Sequence, residues 1–278
     1  MNKKPQKFFY VVGGSTQNSL SPVIFNYWFK KNKLNCLYKT KTIKKKNFKN
    51  EFIKLMKLKK FGGANITTPF KQRVLKTING QTAHAKKISA INCVYQKGNK
   101  KIGTNTDWEG FIKSFKYQNK RTKSAGKIAA IIGFGGAARG LVYALEKMDY
   151  KKIIIFVRNE KKLNIFLKQK NKIKGYNIFL INNYSKKFDL LINASTTSET
   201  KDLKIDLKKL NKRCIVSDIN YRPHKTDLIK SALKQKLKVN YGIYMLVFQA
   251  VPAFKHWFGF APKITTGLLT KIKKEMKN

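Results

Sequence analysis

Short apolar blocks separated by polar, lysine-rich stretches set the rhythm of the first hundred residues. Phe8–Val12 is a continuous apolar run that stops at Gly13-Gly14, too short for a helix, and predicts a buried strand. Pro22–Lys31 predicts a helix and Cys36–Thr40 a second strand. In Phe48–Leu58 the residues Phe48, Phe52, Ile53, Leu55 and Met56 recur at helical spacing. Gly62-Gly63-Ala64-Asn65-Ile66-Thr67 predicts a short strand leaving a glycine turn. Strand and helix alternate, which predicts a largely parallel sheet.

The polar segment Gln118–Ser124, with Ala125 and Gly126, predicts a linker or loop. Beyond it the same alternation starts again. Lys127–Ile132 predicts a buried strand, Arg139–Lys147 a helix and Lys152–Val157 the next strand, which together form one βαβ unit. Leu190–Ile192 and Cys214–Ile219 predict later strands of that sheet. Tyr244–Trp257 is strongly apolar and helix-like, with Pro252 expected at a kink or a helix start. A chain of 278 residues with this double rhythm predicts two α/β domains.

Between the first strand and helix of the βαβ unit lies Gly133-Phe134-Gly135-Gly136-Ala137-Ala138, which fits G-x-G-x-x-G/A. Such a turn lets a pyrophosphate approach the backbone, and the N–H groups and dipole of the following helix favour its charge. The end of the second strand selects the nucleotide. An NAD site places an acid there for the ribose 2′-hydroxyl. Here the sequence is Val157-Arg158-Asn159-Glu160-Lys161-Lys162, and a basic Arg158 with Lys161 or Lys162 favours NADP.

Composition adds limits more than clues. No apolar run approaches the ~18 residues of a membrane span. The basic start, Met1–Lys7, and its short apolar run lack a cleavage-site pattern, so a strand is the better reading than a signal peptide. Cys36, Cys93 and Cys214 are scattered and odd in number, which points to a reducing, cytoplasmic compartment. His84, His224 and His256 are isolated, so no metal site is expected. The formal net charge is +48, from 61 Lys+Arg against 13 Asp+Glu. That balance raises a nucleic-acid reading, but only six of the 61 are Arg, and the lysines are spread along the chain. Residues with A/T-rich codons (Lys, Asn, Ile, Phe) abound, so base bias accounts for much of the lysine; steering of anionic ligands is the alternative.

Six motifs in order from Ser19 to Gln249 give the chain a family resemblance. Ser19-Leu20-Ser21-Pro22, followed by Asn26, resembles the S-x-S-P…N of shikimate dehydrogenases. Gly63–Lys71 resembles their G-x-N-V-T-x-P-x-K, Ala90-Ile91-Asn92 their A-V-N, and Gly103–Asp107 their G-x-N-T-D. Asp218–Pro223 resembles D-x-x-Y-x-P, and Gly242–Gln249 resembles G-x-x-M-L-x-x-Q.

The resemblance implies a substrate-binding domain of residues 1–110, completed by helices within 243–278, and a Rossmann-type NADP-binding domain of residues 111–242. It implies NADPH-dependent reduction of 3-dehydroshikimate to shikimate, with Lys71 as a positioned proton donor and oxyanion stabiliser and Asp107 orienting it. Ser19, Ser21 and Tyr221 would hold the substrate carboxylate; Asn65, Thr67, Asn92, Asp107 and Gln249 would hold ring hydroxyls. Gly133, Gly135, Gly136, Ala137, Arg158, Asn193, Ile219, Gly242 and Met245 would line the cofactor. The enzyme would be a monomer or homodimer with no membrane partner. Serines at both 19 and 21 lean toward shikimate over quinate. A paralogue acting on quinate, and a basic nucleic-acid-binding protein on the same scaffold, are the alternatives. Three positions depart from the pattern: Asn193–Ser198 lacks the Pro and Gly of N-A-T-P-x-G, Cys93 replaces a Thr after A-V-N, and Val157-Arg158-Asn159 keeps only the Arg of N-R-T.

Overall fold

The computed structural model describes residues 5–167, 171–196 and 205–276. The chain divides into two units, Met1–Gly110 with Leu246–Asn278, and Phe111–Met245.

In the first unit six strands form one sheet: β1 (Lys7–Gly13), β2 (Cys36–Thr42), β3 (Phe61–Ile66), β4 (Gly80–Gln81), β5 (Cys93–Lys97) and β6 (Lys100–Thr104), in the order β2-β1-β3-β5-β6-β4. Helices Ser21–Lys31 and Phe48–Met56 occupy the segments predicted for them. The expectation of a largely parallel sheet needs correction. β1 runs parallel to β2 and β3, but β5 is antiparallel to both β3 and β6. The two-residue loop Gly98-Asn99, with Gly98 at φ +56°, joins β5 to β6 as a hairpin and makes that pair antiparallel. Alternation along β1 sends Val12 into an apolar layer with Phe48, Phe52, Phe61, Ile66 and Phe70. Phe9 faces the other way, packing on Phe29, Trp257 and Phe258 at centroid distances of 5.3, 4.7 and 5.2 Å. The segment after residue 245 is therefore an integral layer of this unit. Its tie is polar as well: Trp257 Nε1 donates to the Val94 carbonyl at 3.1 Å and Trp28 Nε1 to that of Lys263 at 3.0 Å.

The second unit holds β7 (Ile128–Ile132), β8 (Lys152–Val157), β9 (Ile173–Asn177), β10 (Leu190–Asn193), β11 (Ile215–Asp218) and β12 (Lys238–Tyr241). All pairings are parallel, in the order β12-β11-β10-β7-β8-β9. Counted within the unit this is 3-2-1-4-5-6 reversed, the dinucleotide-binding arrangement, with its switch point between β7 and β10. Ala129–Ile132 and Ile153–Val157 are buried throughout, as strands covered on both faces must be.

Two expectations shift in detail. Pro252 lies inside the helix Gly242–Phe258, where its ring lacks the N–H of the interior ladder, and not at a helix start. The polar gap after residue 117 is anchored at its first residue: Gln118 ends the helix Asp107–Gln118, its Nε2 donating to Asn240 Oδ1 and its Oε1 accepting from Tyr241 N, each at 2.8 Å. Among the described residues no helix is long and apolar enough to cross a membrane, and no cluster of His, Cys, Asp and Glu could hold a metal ion.

Candidate active site

The antiparallel part of the first sheet builds the site. Register places Asn65 beside Cys93, and Cys93 beside Thr104. The residues just beyond these partners, Asn92 and Asn105–Asp107, therefore meet at one edge. Asn105 fixes the chain there: its Nδ2 donates to the Ala90 carbonyl at 2.9 Å, and its Oδ1 accepts from the Asp107 N–H at 3.0 Å. Asp107 then opens a helix whose N-terminal dipole favours a carboxylate.

Lys71 arrives from the segment after β3. Phe70 is fully buried and stacked on Phe48 at 4.1 Å, and the Lys71 carbonyl accepts from the Ile91 N–H at 2.8 Å. With the backbone held on both sides, the ammonium Nζ lies 2.6 Å from Asp107 Oδ2. The two side chains are 13% and 5% exposed, so this is a shielded pair.

The other Asp107 oxygen belongs to Asn92. Asn92 Nδ2 donates to Asp107 Oδ1 at 2.8 Å, to Thr106 Oγ1 at 2.9 Å and to Gln249 Oε1 at 3.2 Å, while its Oδ1 accepts from the Thr106 N–H at 2.7 Å. Asn65 joins by donating to the Asn92 carbonyl at 3.2 Å and accepting from the Tyr38 hydroxyl at 2.8 Å. Lys71, Asp107, Asn92, Gln249 and Asn65 thus form one polar cluster. Thr67, half-buried, is held through its N–H to the Val12 carbonyl at 2.9 Å. Ser19 and Ser21 are joined by a 3.3 Å bond from the Ser21 N–H to Ser19 Oγ. Tyr221 is half-buried and lies in the second unit, in the segment after β11. Thr106, Asn105 and Tyr38 are the members that sequence reasoning did not assign. The first two sit inside the G-x-N-T-D motif, and Tyr38 is a lone aromatic on β2, outside all six motifs.

In the second unit the glycine turn follows β7. Gly133 has φ +88°, and a side chain there would crowd Ser195. Gly135 leaves open space where a Cβ would stand, and the helix Gly136–Lys147 begins behind it with no acid in its first turn. These features fit a dinucleotide phosphate. Arg139, one turn in, has its guanidinium 4.7 Å from the Phe134 ring centroid and 5.0 Å from that of Phe166. Burial lowers its pKa, and its Nε has no hydrogen-bond partner among the described residues. Arg158 is exposed and immediately follows β8; the Lys162 side chain lies outside the described residues. Asn193 and Ile219 are bonded, Ile219 N–H to Asn193 carbonyl at 3.1 Å, at the ends of β10 and β11. Gly242 is packed against the backbone of Asp218–Asn220, and Met245 is buried. Of the divergent segment Asn193–Ser198, Thr197 and Ser198 lie outside the described residues. Cys93, at the other divergent position, is fully buried, and burial pushes its thiol far above the ordinary value.

Comparison with known proteins agrees with this architecture. The family model of the shikimate dehydrogenase substrate binding domain matches residues 11–94. The shikimate dehydrogenase (NADP(+)) of Clostridium botulinum is 36% identical over 250 residues, covering 89% of this chain and 95% of its own length. That of Bartonella quintana is 31% identical over 282 residues, covering 99% and 95%. Among solved structures, the shikimate dehydrogenase of Aquifex aeolicus superposes with a TM-score of 0.86 at 28% identity, covering all of both chains. With motifs, topology and full-length relatives in agreement, the chain belongs to the shikimate dehydrogenase family.

Proposed function

We propose that this protein is an NADP-dependent shikimate dehydrogenase that interconverts 3-dehydroshikimate and shikimate, on the route to chorismate and the aromatic amino acids. The observation that carries the reading is the shielded 2.6 Å pair of Lys71 and Asp107, tied to Asn92 and Gln249 in a chain of this family. Residues 1–110 with the C-terminal helices hold the substrate, and residues 111–242 hold the cofactor. In the direction of reduction NADPH, once bound, would supply the hydride that the ketone carbon takes up.

The remaining work falls to the chain's own residues. Lys71 Nζ donates to the ketone oxygen, stabilises the negative charge that builds there and gives it a proton, which yields the alcohol. The reverse reaction returns that proton to Lys71. Asp107 fixes the ammonium through one oxygen, while Asn92 holds the other oxygen and prevents the carboxylate from rotating. Asn65, Thr67, Asn92, Asp107 and Gln249 supply the donors and acceptors that a ring with several hydroxyls needs; a substrate lacking one leaves a buried polar group unpaired. Ser19 and Ser21, with Tyr221, hold the carboxylate. Gly133, Gly135, Gly136 and Ala137 would hold the pyrophosphate, Arg158 would bind the 2′-phosphate, and Asn193, Ile219, Gly242 and Met245 would line the rest of the dinucleotide site. Three free thiols suit a reducing cytoplasm. The working form is a monomer or a homodimer.

The test is NADP+ reduction with shikimate and with quinate, in the wild type and Lys71→Ala. Shikimate turnover that falls roughly 10²–10⁴-fold in the variant is the expected outcome. Wild-type turnover of quinate alone, or full activity without Lys71, would overturn the reading.

A further inference from the structure

The mechanism makes no use of a heavily bonded carboxylate in the second unit. Asp218 ends β11, is 1% exposed and accepts four hydrogen bonds. Asn193 Nδ2 at 3.2 Å and Thr226 Oγ1 at 2.7 Å reach its Oδ2; the Asn220 N–H at 2.9 Å and Asn220 Nδ2 at 2.8 Å reach its Oδ1. A buried charge is stable only when compensated in this way.

The partners show what the compensation holds together. Asn220 Nδ2 also donates to the Ser195 carbonyl at 2.9 Å. Ser195 returns to Asn193, whose Oδ1 accepts from the Ser195 N–H at 3.1 Å and from its Oγ at 2.8 Å. The Ala194 N–H is bonded to the Ile132 carbonyl at 2.9 Å, and the space beside Gly133 is filled by Ser195. One carboxylate therefore fixes the ends of β10 and β11, the segment Ala194–Ser195 and, through contact, the glycine turn after β7. These are the edges of the switch-point crevice of this sheet. Ser195 lies within the segment that lacks the family's Pro and Gly.

We propose that Asp218 is a positioning residue for the dinucleotide: through Asn193 and Asn220 it sets where Ser195 stands against the Gly133 turn. This rests on the reading that the second unit binds NADP. The experiment measures the NADPH Kd of the full chain by nucleotide fluorescence, beside Tm, for wild type, Asp218→Asn, Asn220→Ala and Leu210→Ala. The amide introduced by Asp218→Asn would set a donor against donors; Asn220→Ala removes the bridge to Ser195 and leaves the core intact; Leu210→Ala destabilises the same unit from its apolar core. The expected result is an NADPH Kd raised about tenfold by Asp218→Asn and Asn220→Ala, the effect of one hydrogen bond's worth of misplacement, with Leu210→Ala lowering Tm and leaving Kd unmoved. A Kd that follows Tm across all three variants, or that stays at the wild-type value in Asp218→Asn and Asn220→Ala, overturns the proposal. Failure of the wild type itself to bind NADPH would instead remove the reading beneath it.

Discussion

Asn92 Nδ2 donates to Oδ1 of Asp107 at 2.8 Å, on the carboxylate oxygen that Lys71 leaves untouched. The amide thereby decides which way the acid faces. Asn92 is 3% exposed and also serves Thr106 and Gln249. Replacing it with Ala orphans several buried groups at once. Asn92→Ala is expected to lower stability by about 1–3 kcal/mol per group left unpaired, and to reduce kcat more than it weakens cofactor binding. Thermal unfolding and steady-state kinetics check both; an unchanged kcat would show that Asn92 does not act through the Lys71–Asp107 pair.

Gly133 carries φ +88° with Ser195 against it. Gly133→Ala forces a side chain into a backbone region that costs about 1–3 kcal/mol and pushes Ser195 outward. Weaker NADPH binding with near-normal shikimate KM is the expected signature, read by isothermal titration and kinetics.

Arg158 follows β8 directly. A charged hydrogen bond to a 2′-phosphate contributes about 1.5–3 kcal/mol, so Arg158→Ala should raise KM for NADPH roughly 10- to 100-fold while leaving that for NADH in place. Equal loss toward both nucleotides would show that this residue does not read the 2′-phosphate.

Two half-buried histidines give the first unit a pH limit. Burial lowers the pKa of His84 and of His256, with Glu109 opposing it in both. A depressed folded pKa means that the neutral form is favoured in the native state. Stability is then complete above about pH 6.5, the ordinary histidine value, and is lost as pH falls through the lower folded values. His84 Nε2 lies 2.8 Å from Thr104 Oγ1, close to the Asn105–Asp107 turn. Unfolding temperatures against pH should fall on acidification in the wild type and less steeply in His84→Gln.

The +48 charge has a kinetic consequence. A positive field raises the encounter rate of anionic ligands and is screened by salt. Raising salt from about 0.01 M to about 1 M shortens the Debye length from about 30 Å to about 3 Å. kcat/KM for NADPH should fall over that range; a flat profile would mean that the lysines do not steer.

Much of the architecture is legible in the sequence, for identifiable reasons. Strands buried on both faces, such as β7 and β8, read as continuous apolar runs, and the glycine turn between β7 and the next helix has a fixed spacing. Motif resemblance pairs Lys71 with Asp107, and the 2.6 Å contact is what the register of β3, β5 and β6 provides. The edge strands β9 and β12 escape notice because they are partly exposed and only weakly apolar. The antiparallel turn of the first sheet does have a signal, the Gly98-Asn99 pair between β5 and β6, which the β/α alternation outweighs. Tyr38 behind Asn65, and Arg139 between Phe134 and Phe166, depend on tertiary contacts that no local pattern encodes.

The first unit draws on both ends of the chain, and this orders events on the ribosome. Synthesis proceeds at about 5–20 residues per second, and domains fold as units while they emerge. Residues 111–245 are made before Phe254, Trp257 and Phe258, the residues that cover Phe9 and Phe29. The second unit can therefore finish folding while the aromatic face of the first unit still lacks its last layer. A nascent chain halted before residue 246 would carry a complete second unit and an uncovered, aggregation-prone aromatic face on the first.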